Sequence, residues 1–319
     1  MMKRIRTALC LILAAALLAG CAFLPGESEP EALAPADPLT GHPLEWPGQR
    51  PVAVTIENST ASATQWGISS ASVVLEALTE AGMATELCLV YPALAATPKV
   101  GPVAAGQDIY WRLLVGQQPL PVQRGGGQFD QNYLDYYSIR AVDALEAGRT
   151  AFDCGSEWSN APLWYTSGSA VSKVLDALSI SAVLTESRVT SAASAAAASA
   201  SSGSDAVLTV PALLPQEEDG KLPDATAPDA VNVRVCFDDN NATGFAYDPD
   251  SGLYRMLHAD GTPQLDANNG QQAGFDNLLV LFSASALRDD GRTYDFDLSM
   301  GGGVWLNGGH LWTITWTPV

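Results

Sequence analysis

Pro51-Val52-Ala53-Val54-Thr55-Ile56, residues 51–56, is a short run of small and β-branched apolar residues between Arg50 and Glu57. A run of this length with no polar alternation suits a strand covered on both faces. Downstream, Ser69 can cap a helix reaching Ala81, with Val73, Val74, Ala77 and Leu78 on one face and Gly82 at the C′ position. Leu87 to Tyr91 reads as the next strand, and Gln107 to Val115 as a helix. A strand through Leu120 and Val122, a helix after Phe129 and a helix over Ser169–Leu178 complete this half. Strands alternating with helices predict an α/β layer with some parallel pairing.

From residue 231 the pattern changes. Val231–Phe237, Gly244–Tyr247, Leu253–His258, Leu278–Phe282, Tyr294–Leu298, Val304–Leu306 and His310–Thr317 all read as strands. Ser251-Gly252, Asp260-Gly261, Asp290-Gly291 and Asn307-Gly308 are turn pairs that tolerate positive φ. Gly301-Gly302-Gly303 reads as a turn between two strands. The expected fold is therefore α/β (α+β): a layered mixed sheet with helices in the first half, then an antiparallel β-meander.

The N-terminus carries an address. Lys3, Arg4 and Arg6 precede an apolar stretch from Thr7 to Gly20, too short to cross a hydrocarbon core of about 30 Å between polar flanks. Leu18-Ala19-Gly20-Cys21 matches a lipobox, so residues 1–20 are read as a lipoprotein signal peptide and Cys21 as the lipidated mature N-terminus. Stable anchoring takes two acyl chains, which a diacylglyceryl cysteine supplies. The expected location is the extracytoplasmic face of the cell membrane. Losing Lys3, Arg4 and Arg6 with the signal moves the formal net charge from −19 to −22. That balance argues against nucleic acid as a partner and suits a solvated acidic surface or capture of cationic groups.

Composition divides the rest. Residues 21–37 are rich in Pro, Glu and Ala and read as a flexible tether. Residues 38–187 form the first domain, 188–230 an Ala/Ser/Pro-rich linker or insertion, and 231–319 the β-rich second domain. Trp312, Ile314 and Trp316 alternate with Leu311, Thr313 and Thr315, as in a strand with one buried face. Val304–Leu306 would pair with that strand on one side only. The reading is a second domain that stops short, leaving tryptophans at an open edge. Cys88, Cys154 and Cys236 remain in the mature chain; Cys88 and Cys236 read as buried strand residues, and an odd number makes no disulfide framework.

Pro38-Leu39-Thr40-Gly41, Arg50-Pro51-Val52-Ala53-Val54, Glu57-Asn58, Gln65-Trp66-Gly67-Ile68-Ser69, Glu76-Ala77-Leu78 and Gly101-Pro102-Val103 occur in a distinctive order. Gly125-Gly126, Tyr165-Thr166-Ser167, Gly252-Leu253-Tyr254 and Ile314-Thr315-Trp316 continue it. The pattern resembles the YerB-like bacterial lipoproteins from about residue 38 onward. The resemblance implies an extracytoplasmic lipoprotein of mixed α/β fold and no established reaction. Where relatives place two arginines after Gly-Pro-Val, this chain has Ala104 and Gln107. Histidines of two family elements are also missing from Pro162-Leu163-Trp164-Tyr165-Thr166 and from Pro263-Gln264-Leu265-Asp266. Those departures weaken any catalytic carry-over.

No motif supplies a reaction. His42, His258 and His310 stand far apart in sequence, and HExxH, CxxC and GxSxG are all absent. No metal or cofactor is expected. Arg124-Gly125-Gly126-Gly127 lies between a strand and a helix, where backbone N–H groups can hold an anion, or where glycines simply make a turn. Asp248-Pro249-Asp250-Ser251-Gly252 resembles part of a calcium loop but reads better as a hairpin turn. Glu57, Asp108 and Asp130 are the carboxylates available to glycoside chemistry. Tyr133, Tyr136, Tyr137, Trp158, Trp164 and Tyr165 are aromatics that stack on sugars or fill a core. The ligand-binding set expected at strand ends is Glu57, Asn58, Gln107, Arg124, Gly125, Gly126, Tyr165 and Asp266. The leading reading is a non-catalytic binding or scaffold protein whose partner is a cell-envelope protein or glycan. A carboxylate-dependent glycan hydrolase and a solute-binding lipoprotein are the alternatives.

Overall fold

The computed structural model describes residues 35–59, 64–154, 163–184, 210–214 and 226–317. Cys21, the expected signal peptide, most of the expected tether and most of the 188–230 segment lie outside the described residues. Ala36–Val319 forms one compact unit.

A five-stranded sheet organises the first half: β1 (Val52–Glu57), β2 (Val73–Ala77), β3 (Glu86–Tyr91), β4 (Leu120–Gln123) and β5 (Val142–Asp143). Its order is β2-β3-β1-β4-β5. β1 is antiparallel to β3 and parallel to β4, and β5 is parallel to β4. The central strand is the apolar run that opens the sequence reading, and both its faces are buried. Val52, Val54 and Ile56 face a core completed by Leu87, Val103 and Phe152. Ala53 points the other way, against Ile109, Tyr110, Trp111 and Leu114. That second layer comes from two helices, α1 (Asp108–Leu114) and α2 (Gln128–Tyr136). Two single-turn helices follow, α3 (Ala144–Ala147) and α4 (Gly168–Val171). Beyond α4, residues 172–179 continue as turns, so the expected helix through Leu178 is shorter.

The expected helix over Ser69–Ala81 is overturned. Ile68–Ser70 makes one 3-10 turn and Val73–Ala77 is strand β2, paired with β3. Short runs with apolar residues on both sides fit a helix stripe and a doubly covered strand equally well. Here Val73 and Leu75 pack on the helix side and Val74 on the opposite core, so β-branched residues settle into the pleat.

The second half is antiparallel. β6 (Asn232–Cys236), β7 (Ala242–Asp248), β8 (Leu253–Leu257) and β9 (Gly274–Phe275) form one sheet. β10 (Asn277–Phe282), β13 (Gly301–Asn307) and β14 (His310–Trp316) form another, with a small pair of β11 (Ser285–Leu287) and β12 (Tyr294–Phe296). Met256, Ala273, Phe245 and Phe275 close the first-half core from outside. The Asp248 carboxylate accepts from the Asp250 N–H and the Ser251 hydroxyl, which makes residues 248–252 a hairpin turn.

Gly301-Gly302-Gly303 is not the expected turn. It opens β13, paired with β10 on one side and β14 on the other. A Cβ on Gly301 would sit 2.5 Å from ring carbons of Trp316, so glycine lets that indole lie flat on the strand. Cys236 is exposed rather than buried, and Cys88 and Cys154 are buried.

Candidate functional site

The carboxyl ends of the adjacent parallel strands β1 and β4 supply the site. In α/β sheets, ligands enter where such strand ends open outward. Ala104–Gly106 wedges into that opening: the Ala104 N–H donates to the Thr55 carbonyl at 2.9 Å, and the Arg124 N–H to the Ala104 carbonyl at 2.8 Å. Glu57 ends β1 and Arg124 follows β4. Their charged groups stand 4.0 Å apart with side chains 31% and 35% exposed.

Strand register adds a second carboxylate that sequence reasoning missed. Glu57 pairs directly with Glu86 across β1 and β3, an arrangement that brings Cβ atoms to about 5 Å. Burial pushes the Glu86 carboxyl up to about 7, against hydrogen bonds from Gln107 and Thr79 that favour the charged form. Gln107 is therefore near the Glu57 side of the sheet, but its amide serves Glu86.

Asn58 turns to the opposite face. Its amide donates to Glu76 Oε1 at 3.1 Å and Thr85 Oγ1 at 2.8 Å, and its oxygen accepts from Gln65 Nε2 at 3.1 Å. The Thr85 and Thr243 hydroxyls complete the set around Glu76 Oε1, each at 2.7 Å. Enclosure raises the Glu76 carboxyl above its ordinary range despite those donors. This network is internal and joins β2 to β7.

The glycine loop is engaged by the chain's own carboxylates. The Gly125 N–H donates to Asp143 Oδ1 at 2.8 Å. Gly126 packs so closely on the Asp130 carboxylate that no Cβ fits there. Asp130 accepts from Trp111 Nε1 at 2.6 Å and Gln123 Nε2 at 3.0 Å, and burial lifts its carboxyl to about 6. The chain's own carboxylates thus occupy the place an anion would take. Asp108 is elsewhere again, 2.7 Å from Arg288 and 3.6 Å from Arg112. It does not join Glu57.

Asp266 is fully buried. Its oxygens accept from the N–H groups of Gly67 (3.0 Å), Ser69 (2.9 Å) and Asn268 (2.8 Å) and from the Ser69 hydroxyl (2.7 Å). Burial opposes ionisation, but the donors outweigh it and hold the carboxyl below its ordinary value. Asp266 is a clamp between the two halves, not a group facing a ligand.

Tyr165 does reach the Glu57 side. Burial first, then the charges of Glu57 and Asp153, push its phenol upward. Its ring lies edge-on to Trp66, centroids 6.3 Å apart. The structure thus gathers Glu57, Arg124 and Tyr165, with Gln107 one residue behind through Glu86. Asn58, Gly125 and Asp266 are bonded to internal partners, and the exposed Gly126 packs against Asp130. Glu86 carried no legible signal in the sequence, since only register sets it against Glu57.

The chain matches two family models. Residues 39–181 match the N-terminal domain, and residues 232–318 the C-terminal domain, of DUF3048, a protein family of unknown function. The chain belongs to the DUF3048 family. The candidate lipoprotein YerB of Bacillus subtilis (strain 168) is 25% identical over 288 residues, spanning 88% of this chain and 78% of that protein. The crystal structure of Bacillus subtilis YerB superposes with a TM-score of 0.71 at 23% identity, over 89% of this chain and 88% of that one. The two chains therefore share a fold over most of their length. Among the described residues no helix is long and apolar enough to cross a membrane, and no three His, Cys, Asp or Glu side chains form a metal-holding group.

Proposed function

We propose that this DUF3048 chain is an extracytoplasmic binding protein, held at the membrane by lipid on Cys21. Its ligand, carried by a cell-envelope protein or glycan, enters at the crevice between Glu57 and Arg124. The observation that carries this reading is the Glu57–Arg124 pair at the ends of two adjacent parallel strands, each side chain about a third exposed. Partly solvated opposite charges present both a donor fork and an acceptor to a polar ligand. Glu76, Asp108, Asp130 and Asp143 are committed to internal partners, which favours recognition over reaction.

A second reading, a glycan hydrolase, draws on Glu57 and Glu86. Two opposed carboxylates, with Glu86 raised by burial, are the residue types of an acid and base pair in such chemistry. One experiment separates them. The full-length chain in detergent is incubated with soluble peptidoglycan fragments, and both retained fragment and released reducing ends are measured. The binding reading expects retention that falls at least tenfold in Glu57→Ala and Arg124→Ala, with no release. Release abolished by Glu86→Gln would replace it with hydrolysis.

A further inference from the structure

Three chain segments run side by side beyond the end of β1. Trp66 bridges to Gly101, and Val100 bridges to Thr166, next to Tyr165. Lys99 lies on the middle segment, its carbonyl fixed by the Asn268 amide at 2.9 Å. Lys99 is an exposed residue whose side chain folds over two aromatic rings. Nζ sits 3.7 Å from the Trp66 ring centroid and 4.7 Å from that of Tyr165. The two rings stand at 76° to each other and form two walls of a corner. Gly101 is the floor, where a Cβ would lie 2.8 Å from Tyr165 Cδ1 and 2.7 Å from the Trp164 carbonyl.

This corner has the chemistry of a cation cage. Ring faces attract an ammonium through their quadrupoles, and indole does so most strongly. The charges of Glu57 and Asp153 reach the same Tyr165 ring, and the whole chain carries a formal net charge of −19. Cationic ligands are therefore drawn toward the surface before they meet the cage.

We infer that Trp66 and Tyr165 form a binding corner for a primary alkylammonium group, with Lys99 as its resident internal occupant. The inference rests on the binding reading of the neighbouring crevice and names the ligand class there: a molecule bearing an amine for the corner and a polar group for Glu57 and Arg124. Lys99 is tethered, so an incoming amine displaces it at the cost of one exposed contact. Removing that occupant raises affinity.

The test uses n-butylammonium chloride as probe, with n-butanol as the neutral control of similar shape. Binding to the full-length chain in detergent is followed through the Trp66 indole N–H resonance, assigned by its loss in Trp66→Leu. Lys99→Ala is expected to bind butylammonium at least tenfold more tightly than wild type, and at least tenfold more tightly than butanol. Adding Trp66→Leu or Tyr165→Leu to Lys99→Ala is expected to abolish that gain, judged by calorimetry on variants whose melting shows them folded. Equal binding of butylammonium and butanol, or no gain in Lys99→Ala, would overturn the inference. If peptidoglycan fragments still bind through Glu57 and Arg124 in that case, the binding reading stands and the cage alone falls.

Discussion

Asp266→Ala takes away an acceptor that four donors share in a fully buried place. The Asn268 N–H belongs to the same turn and can find water, and the Ser69 hydroxyl can rotate. The N–H groups of Gly67 and Ser69 cannot move away, and each buried donor left unpaired costs about 1–3 kcal/mol. Two such losses, together with charge-assisted bonds about twice as strong as neutral ones, give a destabilisation of roughly 4 kcal/mol. At about 2–4 °C per kcal/mol for a chain of this size, melting falls by about 10 °C. Asp266→Asn keeps one acceptor oxygen and turns an NH2 group toward an N–H, so about half the loss is expected. The pH dependence has a definite sign. A carboxyl held below its ordinary value stabilises above that value, and the stabilisation disappears as pH falls through the folded pKa. Asp266→Ala is therefore less acid-sensitive below about pH 4 than wild type. Urea unfolding at pH 7 and melting between pH 2 and 5 measure both effects. A loss below about 1 kcal/mol would show that the clamp does not join the two halves.

Glu86 gives the opposite slope. Its folded carboxyl is raised to about 7, so the folded protein keeps a proton that the unfolded chain loses, and stability falls as pH rises from about 4.5 to 7. The drop is on the order of 3 kcal/mol, and Glu86→Gln flattens it; an unchanged slope in melting temperature between pH 5 and 7.5 would contradict this. Gly301→Val forces a side chain into the Trp316 ring and the β10 backbone. Overpacking of this kind costs about 1–3 kcal/mol in chemical unfolding, and a neutral result would mean the indole is not seated there. Cys21→Ala abolishes incorporation of an alkyne fatty acid; a labelled variant would exclude lipid attachment at Cys21.

The strands of this fold were the easier part to read. Residues 51–56, 87–91 and the meander after residue 231 are legible because their apolar runs are short, rich in β-branched and aromatic residues and bounded by turn residues. Segment 69–81 is ambiguous in sequence because Val73, Val74, Ala77 and Leu78 satisfy a helix stripe and a pleated strand alike, and pairing with β3 decides between them. The three glycines of β13 read as a turn because the reason for Gly301, space for Trp316, comes from a residue at the far end of the neighbouring strand. At the site, strand ends were identifiable but directions were not. Glu57 and Asn58 are consecutive, so the pleat sends one toward Arg124 and the other to the Glu76 network. Asp266 was visible as a polar residue of the second half, but its partners are about 200 residues away in sequence. Lys99 lies close to both rings only because three separate segments align.

Hydrogen exchange on the full-length chain, with and without soluble peptidoglycan fragments, tests most directly whether the end of β1 and β4 is a binding crevice. Protection is expected at residues 57–59, 99–107, 124–126 and 164–166, and it is expected to vanish in Arg124→Ala. Protection confined to other surfaces, such as β14, or unchanged by Arg124→Ala, would contradict the account.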